Sequence, residues 1–246
     1  MTMTLTYAAM SARATFRNAR FVLFTVALPL ALYLLFNGLY GGRGDEAGIT
    51  VGAYLMVSMA AYGGIGAAIN AGARIAVERQ TGWNRQLRLS ALTPRGYMAA
   101  KSAVSLLVAL PAILLVFLAG ALVGHVRMPL HLWLGGGLAV WLSLIPFAVV
   151  GLVIGFVATV DSTQSLTVLV YMAMAVLGGL WIPVEQLSPF LQHLARAVPS
   201  YWTAQIARDV LAGVALPLRG IGVLLAWTVV LAALGAVAYR RSGRKA

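Results

Sequence analysis

The feature that most constrains this chain is the recurrence of apolar runs about twenty residues long and nearly free of charge, at 21–40, 51–73, 102–124, 132–158, 165–183 and 219–239. A helix rises 1.5 Å per residue, so such a run matches the roughly 30 Å hydrocarbon core of a bilayer. A composition 61% hydrophobic and 10% charged cannot supply an ordinary water-facing surface. The expected fold is therefore all-α and membrane-embedded, with six transmembrane helices. The first run is followed by a glycine-rich polar loop rather than a small-residue cleavage site, and five more runs come after it, so the reading expects it to stay as an anchor.

Charge placement orients the bundle. With the N-terminus inside, the inner segments hold Arg13, Arg17, Arg20, Arg74, Arg79, Arg85, Arg88, Arg95, Lys101, Arg240, Arg241, Arg244 and Lys245. The outer segments hold only Arg43, Arg127, Arg196, Arg208 and Arg219. The positive-inside rule then predicts both termini in the cytoplasm. A formal net charge of +12 raises the question of nucleic acid. The basic residues sit at the ends of apolar runs, with no aromatic-interleaved stripe on a soluble module, so no nucleic-acid partner is expected. The chain has no cysteine, which removes disulfides and thiolate metal sites.

The expected organisation is an N-terminal cytoplasmic interfacial helix at 1–20, a transmembrane domain at 21–239 and a basic tail at 240–246. In the first of these, Leu5, Ala8, Ala9, Ala12 and Phe16 fall near one helical face and Arg13, Arg17 and Arg20 on another, which suits a helix lying on the inner leaflet. Within the spans, glycine is dense at 62–73, where small residues let helices approach closely. Pro29, Pro111 and Pro146 are expected to kink their helices.

Two segments between spans carry more. The longest inner loop, 74–101, has helical periodicity, with Val77, Trp83, Leu87, Leu89 and Leu92 among Arg79, Arg85 and Arg88, and Thr93-Pro94 reads as a stop or turn. These residues fit a lever for a cytoplasmic partner and a basic loop on anionic lipid equally well. The outer segment 184–217 is fairly apolar, yet with Pro183 at its edge and Pro189 and Pro199 inside it cannot form one spanning helix. It is expected to fold back as short helices at about 188–198 and 200–212, with Trp181, Tyr201 and Trp202 at headgroup depth.

The order Glu78-Arg79, Gly82, Leu87, Leu89, Pro94, Lys101 resembles the inner loop of type-2 ATP-binding-cassette (ABC) exporter permeases, bacterial drug, antibiotic and polysaccharide exporters among them. Gly178, Pro183, Glu185, Pro189, Pro199, Arg208 and Gly213 resemble the re-entrant outer hairpin of the same family between its fifth and sixth spans. The resemblance implies that the inner loop is a coupling helix, with Glu78, Arg79, Gly82, Trp83, Arg85, Leu87, Leu89 and Pro94 binding an ATPase partner. It also implies Pro183, Glu185, Pro189, Pro199 and Arg208 as the hairpin's marker residues. Implied partners are two ABC ATPase subunits, which would carry the ATP and Mg, a second permease subunit, identical or paralogous, and membrane lipid. The implied location is the bacterial inner membrane.

What the chain lacks agrees with that division of labour. No GxxxxGK[ST] occurs to cradle ATP, no GxSxG is present, and His125, His131 and His193 form no HExxH pair, so no catalytic or metal site is expected here. None of the six acids falls clearly within a span, which weighs against an ion-coupled secondary transporter. Asn70, Ser143 and Thr228 are modest polar groups that suit helix–helix hydrogen bonds. The expected function is a permease moving an amphipathic drug, antibiotic, lipid or lipid-linked substrate outward, that is, multidrug-type efflux. An ion-coupled carrier or a non-transporting membrane scaffold is the alternative.

Overall fold

The computed structural model describes residues 2–42, 44–46, 48–81 and 93–242. Apart from a two-residue antiparallel pairing of Asp45–Glu46 with Ile49–Thr50, the regular structure is helical. In chain order the helices are α1 (Thr2–Phe16), α2 (Ala19–Tyr40), α3 (Val51–Ala73), α4 (Ile75–Gln80), α5 (Pro94–Leu122), α6 (Leu130–Leu142), α7 (Ile145–Val157), α8 (Val160–Leu177), α9 (Pro189–Ala195), α10 (Pro199–Leu211) and α11 (Leu218–Ser242), with a 3₁₀ turn at Val184–Gln186.

Helix starts are written into the sequence. Thr50 caps α3 by accepting from the Ala53 amide at 3.3 Å, and Thr93 caps α5 by accepting from Gly96 at 3.1 Å with Pro94 at the first helical position. Thr159 and Ser162 form a reciprocal capping box at the head of α8. Thr93-Pro94 was expected to stop a helix, and here it starts one. Proline needs no amide at that position, so α5 begins well before the apolar run at 102.

Helix α3 is the hub. It packs against α2, α5, α6, α7, α8 and α10. Its most apolar window is 94% buried, against 11% for 160–177 and 17% for 218–238, so the latter two helices form the flanks. Glycines make the centre possible. A Cβ on Gly72 would lie 2.8 Å from the Gly151 carbonyl carbon of α7, so at that crossing backbone lies on backbone.

Among the described residues five helical stretches are long and apolar enough to cross a membrane, 51–80, 96–122, 130–157, 160–177 and 218–238, and the apolar stretch Thr25–Tyr40 is shorter. Two boundaries differ from expectation. The run at 132–158 is divided at Ser143-Leu144 into α6 and α7, so Pro146 opens a new helix instead of kinking one. The run at 165–183 becomes a helix ending at Leu177, where Gly178 caps it and Gly179 turns at φ +65. Helix α1 lies on α5 with Tyr7, Ala8, Ser11, Ala12 and Thr15 turned inward, leaving Leu5 and Phe16 exposed. Its packed face thus joins Ala8 and Ala12 to Tyr7 and Ser11, whose side chains have partners on α5.

Candidate functional site

Helix α3 stops with its apolar run at Ala73, but the helical path continues beyond it. After Arg74, still right-handed at φ −57 and ψ −16, the chain resumes as α4 and carries Glu78 and Arg79 to the edge of the bundle. Glu78 forms an ion pair with Lys101 of α5 through Oε1, and its Oε2 accepts from the Tyr97 hydroxyl at 3.1 Å. Lys101 is buried, and its Nζ also donates to Ser11 Oγ of α1 at 3.2 Å. The ammonium lies 5.4 Å from the ring centre of Tyr7 and 6.0 Å from that of Tyr97. An isolated buried ammonium would cost several kcal/mol; a carboxylate, a hydroxyl and two ring faces offset that cost here. One cation thereby joins α1, α4 and α5.

Arg79 ties α4 to a fourth element. Its Nη1 donates to Gly155 O at 3.1 Å, to Phe156 O and to Ala158 O at 3.5 Å, the carbonyls at the end of α7. Those carbonyls lack intrahelical donors and carry the negative end of the helix dipole, so a guanidinium satisfies both the hydrogen bonds and the charge. Beneath the polar layer, Ile75, Tyr97, Leu152 and Phe156 form a buried apolar cluster with Tyr7, Met98 and Ala238 packed against it. Tyr97 lies between Tyr7 and Phe156, at ring-centre distances of 5.7 and 6.5 Å.

Of the inner-loop residues singled out by sequence, Glu78, Arg79 and Pro94 therefore bracket the segment, whereas Gly82, Trp83, Arg85, Leu87 and Leu89 lie outside the described residues. Tyr7, Ser11 and Tyr97 were missed. Their signal was a set of polar groups in otherwise apolar helical faces, which has no local partner to reveal it.

The outer-segment residues gather differently. Pro183 precedes the 3₁₀ turn, and Pro189 and Pro199 open α9 and α10. Glu185 is exposed. Arg208 is buried at the side of α3, where Nη2 donates to Ser58 Oγ at 2.7 Å and the guanidinium carbon stands 3.7 Å from the Tyr54 ring centre. Next to it, burial raises the Asp209 carboxyl above the usual carboxylate range, opposed by the Gln205 amide at 2.8 Å and by Arg208. Trp202 is buried too, its Nε1 donating to Arg196 O at 2.9 Å, and Trp181 stands edge-on to Tyr62 at 5.4 Å. Trp181 and Trp202, both expected at headgroup depth, thus each have protein neighbours.

A concavity of about 480 Å³ opens between α2, α3 and α8, lined by Thr25, Pro29, Gly63, Asn70, Gln164 and Tyr171 among others. Among the described residues no charged side chain lines it. Among the described residues no group of three or more His, Cys, Asp or Glu side chains could hold a metal ion.

Two comparisons bear on this arrangement. Residues 46–237 match the model of a family described as "ABC-2 family transporter protein". The chain is also similar to "Putative transport permease YvfS" of Bacillus subtilis (strain 168), 27% identical over 212 residues that cover 86% of each chain.

Proposed function

Because the chain belongs to the ABC-2 family of transporter proteins, a multi-pass membrane family whose permeases work with ABC ATPases, we propose that it is the membrane subunit of an ATP-driven exporter. Six spans with both termini in the cytoplasm, in a bacterial inner membrane, complete the reading. The supporting observation is the way α4 is held. Glu78 and Arg79 fasten it to α1, α5 and α7 at the point where the chain leaves for residues 82–92. A push on that loop is then delivered to four helices together rather than absorbed by a slack hinge.

In this mechanism two ATPase subunits, which carry the ATP and Mg, grip 78–94 from below. Trp83, Leu87 and Leu89 fill an apolar cleft on the ATPase, and Gly82 and Arg85 shape and charge the same contact. A second permease subunit, a copy or a paralogue, faces this one. Closure of the ATPase pair tilts the first, second and fifth spans and opens the path between the two permeases toward the re-entrant outer hairpins. Lipid-linked molecules, lipids, drugs and antibiotics with amphipathic character suit so apolar a route. The test is to replace Trp83 and Leu87 with Asp and compare ATPase co-purification and ATP-dependent efflux with the parent chain. Loss of both is expected; an intact complex with unchanged efflux overturns the coupling role.

A further inference from the structure

Helix α1 is fastened along one side only. Tyr7 packs on Tyr97 and Ser11 meets the Lys101 ammonium, both in the opening turns of α5 and just ahead of the apolar run that begins at 102. Arg17 and Asn18 alone separate α1 from α2, which leads into the apolar stretch Thr25–Tyr40. The helix therefore sits where two apolar stretches begin, at interfacial depth. On its other side Leu5, Ala9 and Phe16 fall within about 40° of one another around the helix, and Arg13 and Arg17, four residues apart, lie beside them. All five are exposed.

Two large apolar side chains at that depth find acyl chains where a water-facing helix would find solvent. The arginines are not absorbed by protein carboxylates. Glu78 and Asp161 are the only acids in the segments read as inner; Glu78 is taken by Lys101, and neither pairs with Arg13 or Arg17. Neighbouring guanidiniums present planar donor forks that match a phosphate, and an anionic headgroup adds net charge to that match. The same helix is tied to α4, because Ser11 shares the Lys101 ammonium with Glu78. Where α1 sits on α5 thus sets the surroundings of the charge that holds α4.

We propose that the outward side of α1 binds anionic phospholipid, its phosphate on Arg13 and Arg17 and its acyl chains against Leu5, Ala9 and Phe16, and that the bound lipid keeps α1 seated on Lys101 and thereby fixes α4. Zwitterionic lipid offers the same chains without the net charge. As a device that tunes coupling to an ATPase, the proposal rests on the permease reading; as a statement of lipid binding and of its effect on α4, it stands without it.

The experiment uses the full-length chain, which has no cysteine, with Ala9→Cys carrying a bimane fluorophore. In nonionic detergent micelles its quenching is followed against the mole fraction of acyl-brominated phosphatidylglycerol and, separately, of acyl-brominated phosphatidylcholine. Half-quenching is expected at an about twentyfold lower mole fraction of the anionic lipid, and Arg13→Gln and Arg17→Gln should each reduce that preference about fivefold. The link to α4 is read as the distance distribution between nitroxides at Ala9→Cys and Thr81→Cys in nanodiscs with and without phosphatidylglycerol. A narrower distribution is expected with the anionic lipid, and Ser11→Ala should broaden it while leaving the quenching preference unchanged. Equal half-quenching by the two lipids, a preference indifferent to both arginines, or a distribution indifferent to lipid charge or to Ser11→Ala would overturn the proposal. So would loss of ATPase co-purification in the arginine variants with lipid preference intact, which would assign this side of α1 to the ATPase. The comparison of the two lipids holds even if an arginine variant misfolds. Neither measurement uses an ATPase, so a failed Trp83 and Leu87 test removes the exporter reading alone, and indifference to lipid charge removes this inference alone.

Discussion

The Glu78–Lys101 pair is asymmetric in burial, with 24% of the Glu78 side chain exposed and 5% of the Lys101 side chain. Removing one member of a buried pair leaves the other uncompensated, and the cost falls on whichever is deeper. Glu78→Ala strands a buried ammonium and is expected to cost about 3 kcal/mol. Lys101→Met leaves a carboxylate that reaches solvent and keeps Tyr97, so its cost should be clearly smaller. The double variant should recover much of the Glu78→Ala loss, because no charge then remains buried. Thermal unfolding of the four proteins in one detergent measures the cycle. Purely additive losses would show that the two charges are not energetically coupled. The chain's local patterns could not have given this pair its full context: Lys101 and Ser11 are 90 residues apart, and Tyr97 sits in a helix start that looked like a turn.

Helix α7 meets α3 through glycine, and the consequence is specific to position. A Cβ on Gly151 would drive into the Ile69 backbone, which cannot rotate away as a side chain can, whereas one on Gly222 of α11 would meet nothing within 4 Å. Gly151→Ala is therefore expected to cost about 2 to 3 kcal/mol through overpacking, or to prevent assembly. Gly222→Ala should be neutral, or stabilising by about 0.5 to 1 kcal/mol through helix propensity. Yield and melting temperature after purification distinguish them, and equal behaviour would place the α3–α7 crossing elsewhere. Glycine density at 62–73 was visible in the sequence as a packing signal. Which glycines meet backbone and which meet only the ends of side chains was not, since that depends on helix rotation and on the break at Ser143-Leu144. The short helices after α8 were legible for a different reason: Pro189 and Pro199 each mark a helix start that proline geometry dictates.

Long apolar runs and the distribution of eighteen basic residues report on the bilayer directly, so helical class and family were legible without any contact information. Burial was not legible, because the 160–177 stretch is as apolar as the 51–80 stretch and 218–238 nearly as apolar as 130–157, while little of α8 and α11 is buried. In lipid an apolar face needs no protein partner, so hydrophobic pattern stops distinguishing inside from outside. Orientation can be tested cleanly because the chain has no cysteine to give background labelling. Thr81 follows α4 and Gln186 closes the 3₁₀ turn, and both are exposed. If the termini face the cytoplasm, Thr81→Cys should react with an impermeant maleimide in inside-out vesicles and not in intact spheroplasts. Gln186→Cys should do the reverse. A swapped pattern would put Glu78 and Arg79 on the outer surface, where no ATPase could reach them, and the coupling mechanism would fail with it. Labelling of both sites from one side would instead require an even number of spans between them, and would break the six-span count while leaving the packing of α3 untouched.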